Sequence, residues 1–382
     1  MPVLDPLLSS TVIYGSLFGL MCVGLTLTYL TTKVPNFAYA SFVIIGIYTS
    51  FTLYWLAGFR NFPYLTVPFA FLTGGSAALG MYLLVLRPLT KRGSSLVSLM
   101  IATFAVDIVA VGALLAYEDY LQGRFHTSLG PDGFSPYRVF PLGHDFSIGG
   151  VQALVVIAPA ILVGVTLSLY FLLTKTKFGI AMRAAIENPS LATVLGINVG
   201  AVYVVSWFLA GGIAAIAGTP WVMIYGAGSN TEGELIVTIF AGSVLGGLTS
   251  LFGAVIGGFI VGGGETFITT WLSQLIGHLT TGAIGSQVVG FQKAIPLIIM
   301  MATLLFIPQG FASVDWRNLG KSRRSRIGVT ALHAGLIVAL SLQFLSTGVS
   351  PVFIGWTTAV GVIMVTSVAW VKRRTGVWVY RF

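Results

Sequence analysis

Two carboxylates fall inside apolar stretches of the sequence, and they are the first candidates for chemistry. Asp107 lies in the middle of the stretch 95–117, and Glu265 follows three glycines toward one end of 253–272. A carboxylate at the centre of a membrane helix costs on the order of 3 kcal/mol to insert, so it is expected to have a role. Asp107 suits either a proton or cation site or a buried hydrogen-bond hub. Because its stretch holds no histidine or second acid, we favour the hub.

The sequence lacks the motifs by which hydrolases, nucleotide-binding enzymes and ATPases are recognised. It contains no H-E-x-x-H, G-x-S-x-G or G-x-G-x-x-G pattern. Gly320-Lys321-Ser322 resembles the end of a P-loop, but Asp315 occupies the position of its first glycine. One cysteine and four scattered histidines have no ligand spacing, so we expect no metal site and no cofactor. If ATP powers this protein, the ATPase is a separate polypeptide.

A short polar segment between two apolar stretches has the signals of a helix with defined ends. Asn188 is a favourable N-cap, and Pro189 suits the first helical position, where its missing N–H has no helical partner to lose. Gly196 is placed for a left-handed C-terminal stop. Apolar residues recur on one face at three- and four-residue spacing: Leu191, Val194 and Leu195. We interpret this segment as a contact element for a cytoplasmic partner.

The composition excludes a soluble domain. Of 382 residues, 56% are hydrophobic and 8% are charged, whereas soluble chains carry roughly 25% charged residues. The mean hydropathy is +0.93. We therefore predict an all-α polytopic transmembrane bundle with about 10–11 membrane segments, some of them broken or re-entrant. The candidate spans are 9–30, 37–58, 64–86, 95–117, 151–173, 199–224, 235–247, 253–272, 293–308, 329–347 and 351–371.

The basic residues predict the orientation of the chain in the cytoplasmic membrane. Sixteen of the 20 Lys and Arg residues fall on one side of the predicted spans, and four fall on the other: Arg60, Arg124, Arg138 and Lys293. The crowded side is cytoplasmic by the positive-inside rule, which places the N-terminus outside and the C-terminus inside. This bias also explains the net charge of +9 without nucleic acid.

Each half of the chain contains one broken apolar segment. The first break is Thr31–Phe37 and the second is Gly246–Gly253. Matching breaks predict a transport path near the midplane, because freed backbone groups can face a polar cavity. For any single glycine we favour close helix packing over contact with a solute. The segment 235–247 is too short to cross alone and is either a thin span or a re-entrant helix.

Several of these segments resemble one family of membrane proteins. The relevant stretches are Asn36–Phe42, Arg183–Asn198, Leu245–Gly258 followed by Glu265, and Pro308–Phe311. Together they are similar to the permease subunits of ABC importers for branched-chain amino acids, a family that includes urea and amide permeases. The resemblance covers roughly residues 9–313. Tyr39 and Ala40 stand where the family typically has His-Gly.

The resemblance implies site residues and partners. The contact with the ATPase would include Arg183, Glu187, Asn188, Pro189, Leu195 and Gly196, to which the apolar face adds Leu191. The translocation path would include Asn36 and Phe37. To these we add the two acids inside apolar stretches, Asp107 and Glu265, and the glycines of the second break, Gly246 and Gly247. The implied partners are two cytoplasmic ATPase subunits, a second similar permease, an external solute-binding protein and a small-molecule substrate.

Two regions of the chain are expected. Residues 1–320 form the permease domain, and residues 321–382 add a basic connector and a two-helix hairpin that the usual permease lacks. We interpret the connector as a topology anchor that holds anionic lipid headgroups. The expected function is import of a branched-chain amino acid. The alternative is an ion-coupled secondary transporter that uses Asp107. Leu, Ile, Val, urea and amides remain open as substrates, as does pairing with itself or with a related permease.

Overall fold

In the computed structural model, the described residues are 6–56, 59, 62–125, 134–135, 138–139, 145–148, 151–228, 231–279, 289–307 and 309–311. They form a helical bundle, with two small antiparallel sheets built from two-residue strands. The all-α polytopic prediction is therefore confirmed. Six helices are long and apolar enough to cross a membrane within these ranges, and two shorter apolar helices accompany them.

The helices follow the apolar stretches of the sequence. They are α1 Pro6–Thr32, α2 Tyr39–Leu56, α3 Val67–Met81, α4 Arg87–Lys91, α5 Leu96–Phe125, α6 Ala153–Lys175, α7 Lys177–Glu187, α8 Pro189–Val194, α9 Val199–Ile224, α10 Thr231–Gly246, α11 Leu251–Leu279 and α12 Ala294–Phe306. A 3-10 turn at Pro63–Thr66 precedes α3, and a π-helical turn at Tyr82–Leu86 joins α3 to α4. A third short turn, Val289–Phe291, precedes α12.

The strands lie between helices. They are β1 Phe134–Ser135, β2 Arg138–Val139, β3 Ser147–Ile148, β4 Val151–Gln152 and β5 Ala227–Gly228. One sheet has the order β1-β2-β5 and the other pairs β3 with β4. Arg138 is paired with Gly228, so the segment after α5 is tied to the segment after α9.

Helix α1 lies at the centre of the bundle. It packs against α6, α9, α10 and α11, and nearly all of its apolar stretch is buried within the protein. Glycines permit this close approach: a Cβ built on Gly258 of α11 would lie 2.6 Å from the carbonyl oxygen of Phe18. Small residues at helix crossings bring the backbones together, which is how membrane helices gain packing energy without a hydrophobic driving force.

Helices α10 and α11 form an antiparallel hairpin around the second break. Near the turn, Gly246 lies against Gly253, and Gly242 lies against Gly258. Farther from the turn, the Thr238 hydroxyl donates a hydrogen bond to Glu265. The short segment 235–247 is thus one arm of a hairpin with α11. Nine of the predicted spans coincide with helices or helix-turn combinations. The predicted spans 329–347 and 351–371, like the basic connector, lie outside the described residues.

Candidate functional site

Helix α8 has the ends that the sequence predicts. The side-chain oxygen of Asn188 accepts a hydrogen bond from the Leu191 N–H at 2.9 Å, and Pro189 takes the first helical position. At the other end Gly196 has φ +82°, and its N–H donates to the Thr193 carbonyl at 3.0 Å. The Ile197 N–H donates to the Ala192 carbonyl at 2.9 Å. These two bonds complete a Schellman motif, so a helix of six residues has both ends satisfied.

One face of α8 is apolar and exposed. Leu191 is 55% exposed, Val194 83% and Leu195 69%, whereas Ala192 on the other side is 1% exposed and faces the protein. We refer to Leu191, Val194 and Leu195 as the apolar face of α8. Isolated exposed apolar side chains are common, but three neighbouring ones on a six-residue helix form a patch that a partner can cover.

Arg183 and Glu187 do not belong to the same helix as Pro189. They lie on α7, which ends at Glu187, and Asn188 has an extended conformation with φ −149° and ψ 95°. The residues expected to contact the ATPase therefore come from two helices, α7 and α8. The physical reason is Pro189, because a proline disfavours the helical conformation in the residue before it. The result is two short consecutive helices, α7 and α8, joined at Asn188. Glu187 is exposed and Arg183 is partly buried.

Helix α7 packs against the bundle and connects α8 to it. Its buried face consists of Gly179, Met182, Ala185 and Ile186. The Ser206 hydroxyl of α9 donates to the Met182 sulfur at 3.8 Å. The Thr176 side chain caps the start of α7 by accepting from the Gly179 N–H at 3.2 Å. Helix α8 is therefore attached through α7 to the membrane helices α6 and α9.

A row of polar contacts joins α2 to α5. The Phe37 N–H donates to the Thr103 hydroxyl at 3.2 Å, and the Ser41 hydroxyl donates to Asp107. Further along, the Tyr48 hydroxyl donates to Glu118 at 2.9 Å. Because residue numbers rise together along both helices, α2 and α5 run parallel. Asp107 thus accepts a hydrogen bond from Ser41, and its role as a hub or as a cation site stays a prediction.

The first break ends α1 and starts α2 with specific backbone contacts. Lys33 has φ 56° and its N–H donates to the Tyr29 carbonyl at 2.7 Å, which closes α1. The Asn36 side-chain oxygen accepts from the Ala38 N–H at 3.1 Å just before α2 begins. The Asn36 Nδ2 atom is buried and has no hydrogen-bond partner among the described residues. Phe37 contacts Phe240 of α10, with ring centroids 5.2 Å apart.

The glycines of the second break lie inside packed backbone. A Cβ on Gly246 would lie 2.6 Å from the backbone nitrogen of Ala254. Gly247 has φ +94°, a conformation that favours glycine, and it lies against Gly310. The close-packing alternative thus accounts for both residues without a solute. Their place in a translocation path remains a prediction.

Glu265 is the centre of the most extensive polar cluster in the described part of the chain. Its Oε1 accepts from the Lys293 ammonium at 2.6 Å and from the Gln292 amide at 3.0 Å. Its Oε2 accepts from the Thr238 hydroxyl at 2.7 Å. We refer to Thr238, Glu265, Gln292 and Lys293 as the Glu265 cluster. Glu265 is fully buried and the Lys293 side chain is 27% exposed.

Two expectations about acidic residues are corrected by helix length. Helix α11 runs from Leu251 to Leu279, so Glu265 lies midway along it and not toward one end. Helix α5 continues to Phe125, so Glu118 is a second acid in the helix of Asp107. In the extension of α5, the Tyr48 hydroxyl of α2 donates to Glu118. The eleven-residue spacing from Asp107 to Glu118 places both on one helical face, a signal that could have revealed this pair.

Lys293 also has a different environment from the one its loop position suggests. It lies immediately before α12, and its ammonium group contacts Glu265 and lies 5.9 Å from the centre of the Phe18 ring. Among the described residues, no group of three His, Cys, Asp or Glu side chains is placed to hold a metal ion.

Comparison with known proteins identifies relatives along most of the chain. A family described as "Branched-chain amino acid transport system / permease component" matches residues 7–308. The probable branched-chain amino acid transport permease protein LivH of Methanocaldococcus jannaschii is 40% identical over 313 residues, which are 82% of this chain and 94% of the relative.

Two bacterial relatives are more distant. The high-affinity branched-chain amino acid transport system permease protein BraD of Pseudomonas aeruginosa is 27% identical over 311 residues, covering 78% of this chain and 91% of the relative. Its counterpart LivH of Escherichia coli is 28% identical over 279 residues, covering 68% and 84%. No solved structure matches the chain.

Proposed function

Because the chain belongs to the family of branched-chain amino acid transport permeases, we propose that it is the membrane subunit of an ATP-driven importer of leucine, isoleucine and valine. The family match over residues 7–308 carries this proposal. A transporter component of this kind needs no catalytic residues of its own. The family also weighs against the alternative of an ion-coupled carrier built on Asp107.

The ATPase partner is proposed to dock on the apolar face of α8 together with the exposed end of α7. Leu191, Val194 and Leu195 offer apolar area, and Glu187 adds a charge at its edge. The caps at Asn188 and Gly196 hold this short helix in shape before the partner arrives. Preorganisation lowers the entropy that is lost on binding.

The docked surface is connected to the membrane helices through α9. Helix α7 packs on α6 and α9, and α9 packs on α1, α2 and α3. At the α2–α9 crossing, a Cβ on Gly218 would lie 2.5 Å from the Val43 carbonyl oxygen, so the backbones are in direct contact. A movement of α8 would therefore be passed on as a rigid displacement. ATP binding shifts the transporter between two states only if the ATPase contacts α8 differently in each.

The translocation path is proposed to follow α10, which has polar groups on two sides. On one side Phe240 meets Phe37, near Asn36 and Asp107. On the other side Thr238 belongs to the Glu265 cluster. Gly246 and Gly247 let the α10–α11 turn stay narrow. Asn36 is included because its buried side-chain donor has no partner among the described residues.

The remaining proposals concern partners and placement in the membrane. We place the N-terminus outside and α7–α8 in the cytoplasm, on the basic-residue asymmetry. A second permease and an external binding protein would complete the importer. Residues 321–382 are proposed as a basic connector that contacts anionic lipid and a hairpin that adds two spans.

The docking proposal is tested by placing a charge on the apolar face of α8. In a reconstituted importer, Leu195→Asp is expected to abolish ATP-dependent leucine uptake, because an uncompensated carboxylate would be buried in the ATPase contact. Since Leu195 is 69% exposed in the free chain, membrane insertion should be unchanged. Glu187→Lys and Leu191→Pro are expected to act in the same direction.

The matched control is Ser190→Ala, an exposed residue of the same helix that lies outside the apolar face. A photo-cross-linker at Thr193 should capture a nucleotide-hydrolysing protein in intact cells. Normal uptake by Leu195→Asp, or capture of no ATPase, would rule out docking at α8. Leucine uptake by the purified chain alone, driven by an ion gradient, would instead establish the carrier alternative.

A further inference from the structure

The Glu265 cluster holds a lysine in an unusual place for a membrane protein. Glu265 lies near the midpoint of the apolar stretch Leu251–Gln274, and the Lys293 ammonium is 2.6 Å from it. The carboxylate is completely buried, whereas the Lys293 side chain is 27% exposed. An ammonium at this depth cannot face lipid at low cost, so the exposed part is expected to face an aqueous space or another protein.

The Glu265 cluster joins three parts of the fold. Thr238 is on α10, Gln292 and Lys293 precede α12, and Glu265 itself is on α11. Three donors converge on one carboxylate, so its charge is compensated and its rotamer is fixed. Glu265 thus holds the Lys293 ammonium in one position.

The ammonium retains unused hydrogen-bonding capacity. A lysine ammonium has three N–H donors, and Lys293 has one acceptor in the described structure, the Glu265 carboxylate. On another side it lies 5.9 Å from the Phe18 ring centre, next to a group of packed aromatic side chains. Those side chains are Tyr14, Trp221 and Tyr225, with ring centroids about 5 Å apart. They exclude water from that side.

We propose that Lys293 binds the α-carboxylate of the amino acid as it crosses the membrane, with Glu265 as the positioning residue. This inference rests on the proposed function and adds to it a specificity-determining residue. An oxygen of the substrate carboxylate would accept a hydrogen bond from the free side of the ammonium. The Glu265 charge keeps this bond reversible, because Lys293 is already partly neutralised and does not retain the solute.

The alternative is that Lys293 and Glu265 form a purely structural ion pair, and the double variant Glu265→Gln/Lys293→Met separates the two roles. In the introduced glutamine the amide oxygen would accept from Gln292 and the NH2 group would donate to the Thr238 hydroxyl oxygen. No uncompensated charge remains, so the helices should assemble. A buried ion pair can often be replaced by neutral residues without loss of stability. Carboxylate binding predicts normal assembly and ATPase activity with leucine uptake reduced about 10- to 100-fold. Uptake at the wild-type level would overturn the proposal.

Chemical rescue provides the second test. Lys293→Cys should lose uptake and regain it after treatment with 2-aminoethyl methanethiosulfonate, which attaches an ammonium to the thiol and releases methanesulfinate. Methyl methanethiosulfonate, which adds an uncharged group, should not restore uptake. The native chain is the control, because its single cysteine, Cys22, is buried.

The outcomes are distinguishable from failure of the proposed function. If the wild-type importer takes up no leucine, the proposed function is wrong. If the wild type imports leucine but the thiol of the Lys293→Cys variant does not react, Lys293 faces a partner protein and the carboxylate site is refuted. Equal rescue by the charged and the uncharged reagent would also refute it.

Discussion

The crossing of α2 and α9 offers a sharp test of the packing. Gly46 of α2 lies against the backbone of Ala215 in α9, and a Cβ built on Gly46 would lie 2.6 Å from the Ala215 Cα. Gly112 in the middle of α5 has nothing within 4 Å of the corresponding position. The two glycines therefore differ in their surroundings and share a helical membrane setting, which makes Gly46→Ala and Gly112→Ala a matched pair.

The magnitude follows from the geometry. Ordinary van der Waals contact begins near 3.4 Å, so the alanine methyl requires α2 and α9 to separate locally by about 1 Å. Overpacking of this kind costs about 1–3 kcal/mol, and here the obstacle is backbone, which has little freedom to move. Alanine gains up to about 1 kcal/mol of helix propensity over glycine at either site. We expect Gly46→Ala to destabilise the protein by about 2 kcal/mol and Gly112→Ala to be neutral or slightly stabilising.

Unfolding of the purified protein in mixed micelles, as a function of denaturing detergent, measures this difference. A loss of about 2 kcal/mol changes the folded-to-unfolded ratio roughly 30-fold. Uptake should fall with Gly46→Ala, because α9 carries the movement of α8 to α2. If both variants have the same stability, the backbones of α2 and α9 are not in contact and the argument for rigid transmission fails.

Three further predictions concern single contacts. Asn188→Ala removes the cap of α8 and costs about 1 kcal/mol, so amide hydrogen exchange in α8 should accelerate about fivefold; unchanged exchange would contradict the capping role. Tyr48→Phe removes a hydrogen-bond donor to the buried Glu118 and should cost about 1–2 kcal/mol of stability in the same detergent titration. Its control is Thr52→Ala, which breaks an exposed contact with Tyr117 and should cost less than about 0.5 kcal/mol. Ser50→Ala leaves the Thr219 hydroxyl without its buried partner at 2.7 Å and should be destabilising by about 1–2 kcal/mol. Adding Thr219→Val should recover part of that loss, and strictly additive effects would show that the two hydroxyls do not interact.

The local signals in the sequence were sufficient for the helices and for α8. Nine apolar stretches coincide with helical segments, since about 20 apolar residues in a row have few alternatives in a membrane. Asn188, Pro189 and Gly196 act within four residues of their own position. Their geometry therefore depends on only a few neighbouring residues, and the sequence was enough to predict it. Proline also explains why the preceding helix, which carries Arg183 and Glu187, ends before α8.

The polar partners required the tertiary structure. Glu265 bonds to residues 27 and 28 positions away, and Ser41 reaches Asp107 across 66 positions. Nothing in the sequence around Lys293 distinguishes a loop cation from one that is paired with a buried carboxylate. Such pairs depend on which helices are neighbours and on their relative rotation. In the described residues, close contacts at glycines such as Gly46 and Gly258 join helices that are distant in sequence.

The sequence by itself thus determined that the chain is a membrane bundle, where its helices run and how α8 begins and ends. It did so because hydrophobic length and capping act over short distances along the chain. Only the tertiary structure decided that α2 runs parallel to α5, that Glu118 joins Asp107 on one face, and that Lys293 meets Glu265 midway along α11. These contacts arise from close packing between distant segments, and their energies depend on partners that no short stretch of residues specifies.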